Sequence, residues 1–397
     1  METLDPGPTP DASSNQGVVS VNEDVVAIAS SDGRNRLRLR GTIQADSRWY
    51  LGAASAESAD TFVLRRARIL MEGVFSGMFQ YQIVPEFGGG GFNLVAANVS
   101  AVFSPALQVR LGRFKQSVGL EHLQADSSGF FIERSLVSNL VPGVDIGLQF
   151  SGDLAEGRIN YALGLFNGSA DSTNANNLDS NDAKAVAGRL ILRPIHGFGI
   201  GLGASLAPAQ EGKLHLPAGY RTEGQQRFFA YGADVISDGQ ALRLSPQAFY
   251  YAGSLGVLAE YVRSEIEVRK GLESARLAHD AWQVAVGYVL TGEDASYTGV
   301  APARPFAPSR GDWGAFEVVA RFSQLNFDDE TFPRFALPSE NAAGIRGFGG
   351  GVNWFLSSRL RFTVDYLQSR FSTRIAPSSL LLLEGEKAVL TRLQLLF

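Results

Sequence analysis

Arg36–Tyr50, RLRLRGTIQADSRWY, sorts into two faces with a period of two residues. Leu37, Leu39, Ile43, Ala45 and Trp49 fall on one side; Arg36, Arg38, Arg40, Thr42, Gln44, Asp46 and Arg48 fall on the other. Successive side chains of a β-strand point to opposite faces, so the stretch reads as a strand. At about seven pairs it outlasts the usual strand of about 5 or 6 residues. The same sorting recurs in Arg158–Phe166, Ala315–Ser323 and Arg361–Tyr366. Further candidates are Phe62–Gly73, Met78–Phe87, Asn93–Phe103, Leu107–Gln116, Asp145–Gly152 and Ala183–Arg193. Gly199–Leu206, Arg243–Ala252, Leu255–Ser264, Trp282–Thr291, Gly344–Phe355 and Val389–Phe397 complete the set. About 16 strands result, an even count that suits an antiparallel up-and-down barrel. Helical periodicity is absent except weakly around Leu120–Asn139.

Connections alternate between short and long. Phe75–Gly77, Ser104–Ala106, Gly152–Gly157, Pro194–Gly197 and Ser357–Ser358 are short; Asn167–Asp182, Gln210–Gln226, Glu293–Gly311 and Asn326–Ala343 are long and polar. Tight turns at one end and long loops at the other mark an outer-membrane barrel. The expected fold is all-β: a transmembrane antiparallel β-barrel in a bacterial outer membrane, in contact with membrane lipid and lipopolysaccharide. The alternative is a soluble all-β carbohydrate-binding or adhesin-type protein, whose inward face would be the apolar one.

Composition narrows the function. The 397 residues are 45% hydrophobic and 19% charged, with a formal charge of −5, which speaks against a nucleic-acid partner. There is no cysteine, so disulfides, thiolate zinc sites and a Cys nucleophile are excluded. His122, His196, His215 and His279 share no ligand spacing, and no metal or cofactor is expected. Gly197–Gly203 (GFGIGLG) lacks nucleotide-loop spacing; alternating Gly instead leaves one strand face bare. No G-x-S-x-G elbow occurs, so an outer-membrane hydrolase is a third reading and no enzyme is expected. No run of about 18 apolar residues is present, which excludes a membrane-spanning helix but not a barrel.

Arginine is placed with a pattern. Of 35 basic residues only five are Lys, leaving 30 Arg. Arg36, Arg38, Arg40, Arg48, Arg66, Arg68, Arg110, Arg158, Arg189, Arg321, Arg361 and Arg392 all lie opposite apolar faces. In a barrel of this size that face lines a water-filled lumen, and a permanently charged, forked guanidinium there favours anions.

Two resemblances sharpen this. Val389–Phe397 (VLTRLQLLF) ends the chain on an outward aromatic and resembles the terminal signature that the outer-membrane assembly machinery reads. Arg40–Asp46 (RGTIQAD), Leu64–Arg68 (LRRAR), Tyr81–Ile83 (YQI), Leu111–Glu121 (LGRFKQSVGLE) and Ile132–Leu136 (IERSL) stand in the order seen in phosphate- and polyphosphate-selective porins O and P. Gly147–Leu148, Tyr288–Glu293 (YVLTGE), Gly314–Glu317 (GAFE) and Gly350–Trp354 (GGVNW) continue that order. The resemblance implies a homotrimer of 16-stranded barrels whose third loop folds into the lumen and narrows it, here residues 119–142. It implies that Arg65 and Arg66 belong to the constriction and Arg134 to a basic ladder. The clustering of basic residues on the second strand and around that loop points to an eyelet of Arg65, Arg66, Arg68 and Arg134, with Lys115 and His122 nearby, passing phosphate, polyphosphate or other small anions. Strict alternation turns Arg65 towards lipid, so an inward Arg65 requires a local bulge. Where the family has Lys after GLE this chain has His122, and Thr42 stands where it has a lumen Arg. Arg221 and Arg227 are the nearest candidates for its Arg-dense fifth loop, and Leu94 lies near the place of a central aspartate. A gain of charge by His122 on acidification would make anion selectivity rise as pH falls from about 7.5 to 5.5.

The barrel is expected to span 36–397, preceded by a mobile leader over 1–35. Met1–Asp24 has neither a basic nor an apolar region, so the chain is expected to be a processed, truncated or mis-started form of a precursor with an export signal.

Overall fold

The computed structural model describes residues 17–21, 26–52, 59–172, 182–212, 216–378, 382 and 385–397. Residues 1–16, His215 and the middle of the Asn167–Asp182 loop lie outside them. The alternating segments become sixteen barrel strands. They run β1 Arg36–Tyr50, β2 Thr61–Phe75, β3 Phe79–Glu86, β4 Asn93–Ser104 and β5 Leu107–Lys115. Then come β6 Val144–Leu154, β7 Ile159–Phe166, β8 Ala185–Ile195, β9 Phe198–Gly212 and β10 Ile236–Ala252. β11 Leu255–Lys270, β12 Glu273–Val289, β13 Ala315–Asn326, β14 Gly344–Phe355, β15 Leu360–Ser372 and β16 Glu386–Leu396 complete it. Each strand pairs antiparallel with the next, and β16 closes on β1 from Ala388↔Tyr50 to Leu396↔Thr42. Closure leaves no open edge in the bilayer, where an unpaired backbone group would have no water to bond.

The closing seam uses a glycine. Gly41 and Phe397 exchange backbone hydrogen bonds, and a Cβ on Gly41 would lie 2.2 Å from the Phe397 ring. The terminal aromatic therefore lies flat against β1. Upstream, Val18–Val21 and Val26–Ala29 form an antiparallel hairpin that extends the sheet along Arg36–Leu39. Short alternating Val and Ala runs account for it, although no strand is expected there from the sequence.

The tight turns 76–78, 105–106, 155–158, 196–197, 253–254 and 356–359 gather at one end, the inner end. Loop 290–314 belongs to that end by strand parity, in spite of its length. Outward positions are apolar and exposed, as at Leu39, Ile43, Leu111 and Val318. The inward face differs from a uniformly polar wall. On β10–β16 it carries Leu258, Val262, Ala285 and Val319, buried against the infolded loop residues Phe130, Phe131, Ile132 and Leu136. The lumen is therefore filled along one side and open along β1–β8.

Candidate functional site

Loop 116–143 leaves β5 at the outer end and enters the barrel. A helical turn, Leu120–Leu123, and a 3-10 turn, Leu136–Leu140, give it shape. Wall residues hold it by its backbone. Glu260 accepts from the Leu120 and Glu121 amides at 2.8 and 3.1 Å, and Asp365 accepts from the Ile132 amide at 2.7 Å. Arg361 donates to the Gly129 carbonyl at 2.8 Å, Arg392 to that of Ile132 at 2.8 Å and Arg321 to that of Glu133 at 3.1 Å. These contacts satisfy backbone groups of a loop that has little secondary structure of its own.

Two further segments buttress it. In loop 213–235, the Glu223 carboxylate lies 3.1 Å from Arg321, and Glu386 accepts from Thr222 at 2.8 Å. From the inner end, the Tyr297 hydroxyl donates to the Leu120 carbonyl at 2.6 Å, and Gln124 donates to the Tyr297 carbonyl at 2.7 Å. Neither role is legible in the sequence, because the partners are far apart along the chain.

The remaining passage comprises an outer cavity of about 550 Å³ and an inner one of about 510 Å³. Arg68, Val95, Lys115 and Asp126 line both, so the constriction lies there. Asp126 is its centre. Arg68 meets Asp126 Oδ2 at 2.5 Å, Arg66 Nε lies 3.2 Å from the same oxygen, and Arg134 takes Oδ1. Arg68 also binds Glu86 at 2.5 Å. Glu133 collects Arg65 at 2.7 Å and Arg48 at 3.2 Å. Lys115 Nζ donates to the His122 carbonyl at 2.7 Å, fixing the helical turn above it.

Arg65 faces inward through the bulge that its orientation requires. Gln44 pairs with Arg66 and Ala45 with Leu64, so Arg65 is the extra residue. Six of the expected residues therefore meet at the constriction: Arg65, Arg66, Arg68, Lys115, His122 and Arg134. Arg48 reaches it through Glu133. Arg110 lies in the inner cavity, 5.2 Å over the Phe114 ring. Arg36, Arg38 and Arg40 do not join them; they sit towards the inner rim, where Arg40 pairs with Glu72 at 2.7 Å. Arg221 lines the outer cavity and Thr42 the inner one.

Charge states follow from these contacts. Burial pushes the Asp126 carboxyl up, but Arg66, Arg134, Lys115 and Arg68 outweigh it and hold the group well below the usual carboxylate range. Burial likewise opposes ionisation of Glu133, yet Arg65 and Arg392 bring it down to about 2. Burial, with Arg134 and Lys115 close by, lowers His122 well below the ordinary imidazole value. The neutral ring is thereby favoured, which opposes the pH-dependent rise in selectivity expected of a free imidazole.

The outer cavity sets Arg65, Arg66, Arg68, Lys115, Arg134 and Arg221 against Glu86, Asp126 and Glu133. The inner cavity sets Arg68, Arg110, Lys115 and Arg189 against Asp126 and Asp153. Cations outnumber carboxylates two to one in each, although the whole chain is net negative.

Known structures share this architecture. The outer membrane channel DcaP of Acinetobacter baumannii superposes with a TM-score of 0.61 at 8% identity, over 91% of this chain and 97% of that one. An anion-selective porin from Comamonas acidovorans gives 0.56 at 12% identity, over 91% and 100%. OmpF of Salmonella typhi gives 0.57 at 12% identity, over 92% and 98%. No curated protein matches the sequence. The family model for phosphate-selective porin O and P matches residues 37–397. Barrel, infolded loop and family match together make the chain a member of the phosphate-selective porin O and P family, an outer-membrane porin rather than an enzyme.

Proposed function

We propose that the protein is an anion-preferring diffusion channel whose filter is formed by Arg65, Arg66, Arg68 and Arg134 with Lys115 beside them. The twofold excess of cations over carboxylates along both lumen cavities carries this reading. Fixed positive charge in a low-dielectric wall raises the local concentration of anions and repels cations. The family's phosphate selectivity, and the anion selectivity named for the Comamonas acidovorans porin, support an oxyanion such as phosphate or polyphosphate as solute.

The constriction favours passage over tight capture. Asp126 and Glu133 already engage its guanidiniums, so an entering anion shares donors with the chain's own carboxylates. Conduction needs sites that hold an ion weakly enough to release it. A homotrimer is the proposed assembly, and the Phe397 ring on the closing seam supports recognition of the last strand by the outer-membrane assembly machinery.

Reversal potentials in planar bilayers test the filter with chloride, phosphate and pyrophosphate. Arg66→Ala with Arg68→Ala should lower the anion-to-cation permeability ratio by about threefold to tenfold, in line with the loss of two fixed charges. An unchanged ratio and unchanged block by phosphate in the double variant would remove these residues as the filter.

A further inference from the structure

We propose that the inner cavity holds a second anion-binding station, built on Arg189 and Gln108, for a small oxyanion such as inorganic phosphate. The proposal deepens the reading of the chain as an anion-preferring pore and rests on it. The registers of β5–β6, β6–β7 and β7–β8 place Gln108, Ser151, Ala162 and Arg189 in one lateral row. Gln108 and Arg189 stand three strand spacings apart, about 14 Å at about 4.7–4.9 Å each. Only a serine and an alanine separate them. Both line the cavity together with Ser151 and Ala162, one at each end of that short floor.

The donors there are uncommitted. Arg189 Nε and Gln108 Nε2 are cut off from solvent, and neither has a hydrogen-bond acceptor among the described residues. Arg189 differs in this from the constriction arginines, which pair with Asp126, Glu86 or Glu133. Among the described residues no carboxylate forms an ion pair with Arg189, and Glu260, whose charge is felt there, is engaged by the Leu120 and Glu121 amides. Asp126 is held by three arginines, and Asp153 lies half-exposed with Arg193 at 3.5 Å. Arg110, one row away beside Gln149, adds positive charge on the same wall. A guanidinium offers paired N–H donors to two oxygens of a tetrahedral anion, and an amide supplies a third. Leaving such donors unpaired is costly, so an oxyanion seated over Ser151 and Ala162 relieves them. An anion released by the constriction would be met before it reaches the inner mouth.

Side-specific block separates this station from the filter. Chloride current through wild-type channels of known orientation is titrated with inorganic phosphate added at the inner face. Arg189→Gln should raise the half-blocking concentration about fivefold or more, while the reversal potential stays anion-preferring. Arg189→Lys, which keeps the charge, should fall within about threefold of wild type, and Gln108→Leu should weaken block by about twofold to threefold. Failure of inner-face phosphate to block wild type, or a shift below about twofold in Arg189→Gln, overturns the station. A wild-type reversal potential without anion preference overturns the pore reading instead, independently of any Arg189 variant.

Discussion

Arg361 donates to the Ser127 and Gly129 carbonyls of the infolded loop, whereas Arg68 divides its guanidinium between Glu86 and Asp126 and lines both cavities. The two have the same charge and opposite consequences. Arg361→Gln should loosen the loop and increase open-channel noise with little change in reversal potential, while variants of Arg66 and Arg68 should shift the reversal potential. His122 illustrates how surroundings decide charge. Its burial beside Arg134 and Lys115 keeps the ring neutral, so anion selectivity of the wild type should be flat from about pH 7.5 to 5.5. A lysine at the same buried place would also be held below its ordinary value, so His122→Lys should raise selectivity most at the acid end of that range, and a sloping wild-type profile would contradict the neutral ring. Glu133 and Asp126 stay ionised there too, since their carboxyls lie below the normal range. Being depressed, they stabilise the fold above an unfolded value of about 4, and the contribution of Glu133 is lost as pH falls towards about 2.

Strand β9 shows why one motif was readable and its purpose was not. Its alternating glycines announce a bare face; the reason is that a Cβ on Gly203 would lie 2.1 Å from the Val118 carbonyl oxygen, where the infolded loop begins. Gly203→Val should therefore displace the loop root and lower the yield of compact, heat-modifiable barrel, with an overpacking cost of about 1–3 kcal/mol. Glu260→Ala should free two loop amides at a cost of about 2–4 kcal/mol, seen as unfolding on gels at lower temperature. The barrel itself was legible because period-two sorting persists wherever lipid faces water across a wall. Strands β10–β12 are longer than the sequence pattern suggests because polarity inverts above the membrane: Arg263, Glu265 and Glu267 point outward there, while Ile266 and Val268 are buried inside. The constriction was legible only as a set of cations. Asp126 and Glu133 lie 58 and 68 positions from Arg68 and Arg65, and no local pattern links them.

Across the molecule the wall is uneven. β3 and β7 have 8 residues and β5 has 9, whereas β10, β11 and β12 have 17, 16 and 17. A tilted strand needs about 9–11 residues to cross a bilayer, so β3 and β7 fall just short of it, and the low sector they bound suits contact with further copies of the chain. If that sector is the trimer interface, Leu111→Arg should convert the SDS-resistant oligomer to monomer on gels. Val284→Arg, on the tall wall, should leave the oligomer intact and cost about 2–4 kcal/mol of folding stability near the bilayer midplane. The loop anchors carry one more consequence. Its contacts with Glu260, Arg321, Asp365 and Arg392 span 140, 188, 233 and 260 residues of chain. Contacts of such high order form late, after the long intervening segments have been brought together. On that ground the infolded loop is expected to settle only once the last strands are in place. Ionic discrimination should then be acquired at the end of assembly, and a half-built barrel should leak without choosing.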